Sequence, residues 1–369
     1  MEKIAVIGIG KLGICMALHL EQAGYSVLGV DVDPQYIAQI NQRSLSSSEP
    51  EVEAQLQSAK RLRATTHIQE VLQADIDLLF LFVATPSTPE GNYDHSQIEQ
   101  VTDELAQLQS NSRPRHLIVG CTTMPGYCDQ LAKKMKPYNY TVSYNPEFIA
   151  QGRIMHDLVH PDQVLIGEAD TAVGERLAQL YSHICRNKPA IHRMDRLSAE
   201  ITKLATNCFL TTKISFANSI GDLAISVGAD PGKILAAIGS DSRVGQKYLK
   251  HGFGFGGPCF PRDNRALGIF ARNSGHQLLI GEATDQVNQQ HLAFQFQQHL
   301  EHFPPEQTIV FDSVSYKPDS TLLVESQQLA LAVKLAKAGR RVKIRERKAI
   351  TEQLDQQYPG LFELEARDE

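Results

Sequence analysis

One thiol in the chain stands in an unusual setting. In the stretch Gly252-Phe253-Gly254-Phe255-Gly256-Gly257-Pro258-Cys259-Phe260-Pro261-Arg262-Asp263, four glycines and two prolines surround Cys259. Glycine at that density suits positive φ angles or close approach of backbone to a ligand, and the prolines stiffen the chain beside the sulfur. A free cysteine is ordinarily a small core residue. Here Lys247, Lys250 and Arg262 lie nearby in sequence as cations able to favour a thiolate, and Asp263 follows four residues later as a candidate proton acceptor. The chemistry expected of such a group is nucleophilic, with the thiol held in place rather than merely buried.

A second constellation opens the chain. The apolar run Ile4-Ala5-Val6-Ile7 leads into Gly8-Ile9-Gly10-Lys11-Leu12-Gly13, after which Ile14, Met16, Ala17 and Leu20 recur at helical spacing. A strand, glycine turn and helix in that order can bring backbone amides up to a pyrophosphate. Ser26–Val30 reads as the next strand and ends in Asp31, 18 residues after Gly13, where a carboxylate can bond ribose hydroxyls and repel a 2′-phosphate. NAD is therefore the expected cofactor, in preference to NADP.

The elements that would carry these groups follow from periodicity. Leu78–Val83 reads as a buried parallel strand ending in Thr85-Pro86, Leu117–Val119 as one ending in Thr122, and Val142–Tyr144 as one ending in Asn145-Pro146-Glu147-Phe148. Parallel strands that end this way gather their loops at one sheet edge, so Thr85, Thr122 and Glu147 are candidates for one cleft. From Arg196 to Val227 a helix of roughly 30 residues is expected, with Glu200, Lys203 and Asn207 on one face, either as a solvated stripe or as functional groups. Further helices are read over Ala266–Leu279 and Glu282–Phe303, with Pro304-Pro305 as a boundary. Beyond it, Thr308–Phe311, a helix from about Ser326 to Ala338 and Arg341–Ile344 form one more β-α-β unit, with about 25 residues left. The fold class is α/β in three parts: an N-terminal Rossmann domain (1–194), a central long-helix domain carrying the cysteine loop (195–304), and an abbreviated Rossmann-like domain (305–369).

Composition narrows the partners. The 369 residues carry a net charge of -6, 42% hydrophobic and 21% charged residues. No long basic run is present, which argues against a nucleic-acid surface and for a small molecule. Six cysteines lack CxxC or CxxH spacing, so neither a zinc site nor a disulfide framework is expected, and a reducing, cytoplasmic setting fits them. The N-terminus has no signal-peptide pattern, and the longest apolar run, Leu78–Ala84, is too short to span a bilayer.

With the motifs in place, the chain resembles the UDP-glucose and GDP-mannose 6-dehydrogenase family over about residues 1–345. The matches run in family order: Gly8, Gly10, Gly13 and Asp31; Glu49-Pro50; Thr85-Pro86; Thr122 with Pro125-Gly126; Asn145-Pro146-Glu147-Phe148; Ala199-Glu200 with Lys203 and Asn207; Arg243-Val244-Gly245; and Gly254-Phe255-Gly256-Gly257 with Cys259 and Asp263. The resemblance implies oxidation of a primary alcohol to a carboxylate with two NAD, through a Cys259 thiohemiacetal and thioester. It makes Lys203 and Asn207 oxyanion partners, Asp263 the nearest candidate to take the hydroxyl proton, Glu147 the activator of the hydrolytic water and Thr122 its positioner. It places Lys11, Leu12, Thr85, Pro86 and Thr122 with the glycines and Asp31 at the cofactor, and Phe148, Lys203, Arg243, Tyr248 and Gly256 at the substrate. It also implies a homodimer through the long helix, with Arg243 reaching the partner's site.

Departures from the family pattern concern recognition. Phe148-Ile149-Ala150-Gln151-Gly152 lacks an arginine and an acid, the strand end Phe311-Asp312-Ser313 lacks a glycine, and Val324 stands where the family has an arginine. Nucleotide binding by the tail is therefore expected to be weak. The substrate readings are a nucleotide sugar or a smaller anionic alcohol such as a sugar phosphate or phosphonate. A protein that binds NAD without turnover is the remaining alternative, opposed by the five intact chemical residues.

Overall fold

A computed structural model describes residues 2–108, 113–317 and 320–367. Two compact units divide the chain, Met1–Lys203 and Leu204–Glu369. Pro318 and Asp319, part of the tail segment read above, lie outside the described residues.

The first unit is built on an eight-stranded sheet. In chain order it comprises β1 (Lys3–Ile7), α1 (Lys11–Gln22), β2 (Ser26–Val30), α2 (Pro34–Gln42), α3 (Val52–Ser58), β3 (Leu62–Thr65), α4 (Gln69–Gln73), β4 (Leu78–Leu81), α5 (Ser96–Gln107), β5 (Arg115–Val119), α6 (Tyr127–Met135), β6 (Tyr140–Tyr144), α7 (Ile154–Val159), β7 (Gln163–Gly167), α8 (Thr171–Ile184) and β8 (Ala190–Met194). The strand order is β3-β2-β1-β4-β5-β6-β7-β8, and only the β6–β7 pairing is antiparallel. The order reverses between β1 and β4, which creates the crevice where ligands bind in doubly wound sheets. Successive residues of β1 explain why both faces need a helical layer. Ile4 and Val6 enter one apolar cluster with α1, α7 and α8, whereas Ala5 and Ile7 enter the other with α5 and α6.

The long helix α9 (Arg196–Ser226) runs for 31 residues, as its proline-free period predicts. It stops at Gly228, φ 73°, where the Gly228 and Ala229 amides bond back to the carbonyls of Ile225 and Ala224. Within the second unit follow α10 (Pro231–Ser240), α11 (Phe260–Asn273) and α12 (Leu279–His302). Helix α11 begins at the cysteine loop itself, not at Ala266 as the sequence suggests, because Pro261 fits a first turn where its missing N–H is not required.

The tail forms β9 (Ile309–Phe311), α13 (Gln327–Lys337), β10 (Val342–Arg347), α14 (Lys348–Gln357) and β11 (Glu363–Arg367). These strands make a parallel sheet in the order β11-β10-β9. The domain is small, as expected, yet it contains a third strand and a helix that the sequence reading left out. Among the described residues no helix is long and apolar enough to cross a membrane.

Candidate active site

The glycine turn after β1 has the shape its spacing predicts. Gly8 adopts φ 79°, its amide bonds the Val30 carbonyl at 2.8 Å, and a Cβ on Gly13 would collide with the Gly8 carbonyl oxygen. Only glycine admits that approach of α1 to β1. Gly10 caps α1 without a side-chain hydrogen bond, so first-turn amides are available to an anion. Leu12 packs on the core, and the Lys11 ammonium sits 3.1 Å from the buried carboxylate of Glu49. Glu49 also accepts from the Gly152 amide at 2.7 Å, fastening the loop after β6 to the turn. Asp31 follows directly on β2 and takes the Asp33 amide at 3.3 Å. These residues fit a dinucleotide: a backbone cradle that a side chain would fill, a helix N-terminus and a strand-end carboxylate.

Three neighbouring strands end on the same edge. Thr85 is buried after β4, Pro86 accepts the Asp94 amide through its carbonyl, and Thr122 stands half-buried after β5. The segment after Thr122 is shaped by Glu200 of α9. Its fully buried carboxylate accepts from the Thr123 hydroxyl at 2.8 Å and from the Gly126 and Cys128 amides at 2.6 and 2.9 Å. Glu200 is thus no solvated stripe residue. It is an anion seated on the N-terminal turn of α6, where the helix dipole favours it.

After β6, Glu147 receives the Tyr181 hydroxyl at 3.2 Å, and that hydroxyl lies 2.5 Å from the Asn145 side-chain oxygen. Burial pushes the Glu147 carboxyl up to about 7, against the lowering effects of the Tyr181 bond and the Lys203 charge. Lys203 is buried, with its ammonium 5.0 Å from the centroid of the Phe148 ring. Glu147, Phe148 and Lys203 are therefore brought together in the first unit. Tyr181 had no local signal, being one of several inward positions on α8.

In the second unit, Cys259 immediately precedes α11 and is exposed, whereas the other five cysteines are buried. Asp263, one turn into the helix and 1% exposed, accepts from the Asn207 amide at 2.6 Å. The glycine loop before the thiol is moulded on its surroundings. The Asn288 side chain binds both backbone groups of Phe255, donating to its carbonyl at 2.9 Å and accepting its N–H at 3.0 Å. Gly257 (φ 82°) faces the Tyr316 ring, and its amide bonds the Val324 carbonyl at 3.0 Å. A Cβ on Gly256 would strike the Glu325 carbonyl. Asn288 and Tyr316 were not foreseen, since nothing local marks a residue that walls a distant loop.

The remaining sequence-derived residues are less embedded. Arg243 is exposed and chelated by Asp241, at 3.0 and 2.7 Å. Tyr248 is half exposed at φ 61° and meets Phe260 edge to face, with centroids 6.1 Å apart. Alongside the cysteine loop the tail encloses a cleft of about 790 Å³, lined among others by Phe253, Phe303, Phe311, Tyr316 and Lys317. Cys259 is not among its lining residues.

Comparison with known proteins points to one family. Residues 2–185 match the NAD binding domain of the UDP-glucose/GDP-mannose dehydrogenase family, and residues 197–290 match its central domain. The UDP-glucose 6-dehydrogenase of Pseudomonas aeruginosa is 33% identical over 357 residues, spanning 92% of this chain and 78% of that protein. The GDP-mannose 6-dehydrogenase of Pseudomonas putida is 30% identical over 351 residues, spanning 91% and 79%. The solved UDP-glucose dehydrogenase of Pyrobaculum islandicum superposes with a TM-score of 0.89 at 28% identity, covering all of this chain and 86% of that one.

Proposed function

Because the chain belongs to the UDP-glucose/GDP-mannose dehydrogenase family and is an NAD-dependent oxidoreductase, we propose that it oxidises the primary alcohol of a nucleotide sugar to a carboxylate through a covalent Cys259 intermediate. The observation that carries this reading is the one exposed thiol, set at the start of α11 beside a buried Asn207–Asp263 pair.

Bound NAD supplies the acceptor for both hydride equivalents, so one alcohol and one water give one carboxylate, two NADH and three protons. Gly8, Gly10, Gly13 and the first turn of α1 hold its pyrophosphate and Asp31 its ribose, with Thr85-Pro86 and Thr122 along the same edge. Asp263, directly or through a water, takes the hydroxyl proton in the first oxidation. The Cys259 sulfur then bonds the aldehyde carbon, whose oxygen gains a proton, and the resulting thiohemiacetal retains a C–H bond from which hydride can leave. Loss of that hydride and the hydroxyl proton leaves a thioester. Lys203 and Asn207 stabilise the oxyanion in both additions, and Phe148 orients Lys203. Glu147 draws a proton from the attacking water, the C–S bond breaks, and the Cys259 thiolate is regenerated.

The named relatives act on UDP-glucose and GDP-mannose, which favours a nucleotide sugar over a smaller anionic alcohol. The tail cleft supports this in size, because about 300–1,000 Å³ is usual for small-molecule sites. Its aromatic residues suit a base, and Lys317 suits a phosphate. With Val324 in place of a cation, affinity rests on fewer charged contacts than in the relatives' pattern. The exposed face of α9 supports a homodimer, and six thiols free of disulfides support a reducing cytoplasm.

The test is incubation with NAD and UDP-glucose, GDP-mannose or a small sugar phosphate. Two NADH per sugar are expected with a nucleotide sugar, and none of the acid with Cys259→Ala, which should still bind NAD. Acid production by the alanine variant at the parent rate would remove the covalent step.

A further inference from the structure

Apart from the residues assigned above, three side chains converge near the end of α9. Asp222 lies on α9, His291 on α12, and His251 immediately before the glycine loop. His251 Nε2 is 2.9 Å from Asp222 Oδ1, and His291 Nδ1 is 2.9 and 2.8 Å from the two Asp222 oxygens. One ligand atom from each lies within 4.8 Å of the others. The second nitrogen of His291, Nε2, faces the Gly252 carbonyl at 2.6 Å.

That last contact decides the chemistry. The His291 side chain is 1% exposed and meets oxygen acceptors at both nitrogens, while a neutral imidazole has one N–H to give. If Nε2–H donates to Gly252, the Nδ1 lone pair is turned towards a carboxylate and a second imidazole. A cation between them satisfies all three groups. A ligating histidine whose other N–H is held by a backbone carbonyl is also the usual second contact of a metal-bound imidazole.

We propose that Asp222, His251 and His291 bind a divalent transition-metal ion of the zinc class, as two imidazoles and one carboxylate with a fourth position for water. Tetrahedral ligands at zinc distances stand about 3.3 Å apart, so the two histidine contacts to Asp222 need open by only about half an ångström. Asp222 and His251 keep 17% and 19% side-chain exposure, which gives the ion a route in. The site would fasten α9 and α12 to the root of the cysteine loop. Gly252 is already gripped there, its amide bonding Asn218 at 3.1 Å and its carbonyl also accepting from Gln295 at 3.2 Å. The ligands lie 29 and 40 residues apart, so no spacing motif announces them.

Chelator-treated protein carrying Cys259→Ala, which removes the exposed thiol, is titrated with Co²⁺ and Zn²⁺ by calorimetry and visible absorption. One equivalent should bind, with cobalt bands in the visible and no thiolate charge-transfer band. His251→Ala should weaken binding at least tenfold, and His251→Gln, which keeps a donor to Asp222, should do the same if the alanine variant fails to fold. Absence of binding would overturn the proposal in favour of an imidazolium–carboxylate pair. An unchanged affinity in the His251 variants would overturn it equally, because the metal would then sit elsewhere.

Discussion

Asn207 donates its side-chain N–H to Asp263 at 2.6 Å, joining the long helix α9 to the first turn of α11, four residues beyond the exposed thiol. The pair is buried, and a carboxylate in such a place is held by its hydrogen bonds. Asp263→Asn keeps the volume and removes the proposed proton acceptor. A fall in kcat of about 10²–10⁴-fold is expected from the lost acid–base function, with NAD affinity unchanged because the glycine turn is untouched. Steady-state rates and NAD titration check it, and a variant within twofold of the parent would remove Asp263 from the chemistry.

Glu147 gives a pH dependence of definite sign. Its carboxyl is raised to about 7, so the basic form proposed to activate water declines about tenfold per pH unit below that value. Thioester hydrolysis should rise with pH and level off above about 7, and Glu147→Gln should flatten the profile and let the acyl-enzyme accumulate, visible by intact mass.

Stability should move the other way. A raised carboxyl favours the folded state while protonated, and that advantage is lost as pH rises from its unfolded range through about 7. Thermal melts should therefore show Glu147→Gln more stable than the parent at pH 8 and close to it at pH 5. Equal differences at both would mean that burial does not control this group.

Asp31 predicts cofactor choice. A carboxylate beyond β2 suits ribose hydroxyls and repels a 2′-phosphate, so kcat/KM should favour NAD over NADP by at least tenfold, about 1.5–3 kcal/mol for one charged contact. Asp31→Ser should narrow that ratio, chiefly by improving NADP. Equal efficiency of the two cofactors in the parent protein would contradict the role.

The exposed face of α9 predicts self-association. Phe209, Phe216 and Leu223, spaced by seven residues, are 65%, 47% and 60% exposed, and Val227 follows at 70%. Leu210, Ile214 and Ile220, apolar residues of the same helix, are partly buried and lie off the stripe. Covering such side chains yields about 1.5–3 kcal/mol each. Light scattering should give a dimer at micromolar concentration and a monomer for Phe209→Glu with Phe216→Glu. A parent protein that is monomeric and fully active would refute the interface.

How legible the molecule was depended on whether the constraint was local. The turn from Gly8 to Gly13 is written in adjacent residues because backbone must meet backbone there. The strand-end loops carrying Thr85, Thr122 and Glu147 were readable because β4 is a continuous apolar run, β5 ends in Leu117-Ile118-Val119 and β6 ends in Val142-Ser143-Tyr144, each followed by turn-forming residues. Strands β3, β8 and β11 were missed. The last, Glu363–Arg367, carries charges that suit a sheet edge and erase the apolar pattern. The start of α11 was hidden by Pro261 and the glycines before it. Glu200, Tyr181 and Asn288 take their roles from partners 33 to 77 residues away, and no window of sequence contains both halves.

The seating of Gly257 against Tyr316 and Val324 bears on how this protein can be taken apart. The tail is not a detachable cassette that adds recognition to a self-sufficient catalytic body. Tyr316, Val324 and Glu325 form one wall of the cysteine loop, and the paired contacts of Arg265 to Glu325, at 2.7 and 2.6 Å, hold that wall to α11. Exchanging the tail for that of a relative with another substrate would recast the mould in which the thiol is set. A graft for altered specificity therefore has to carry the segment from Tyr316 to Ser326 and the glycine loop together.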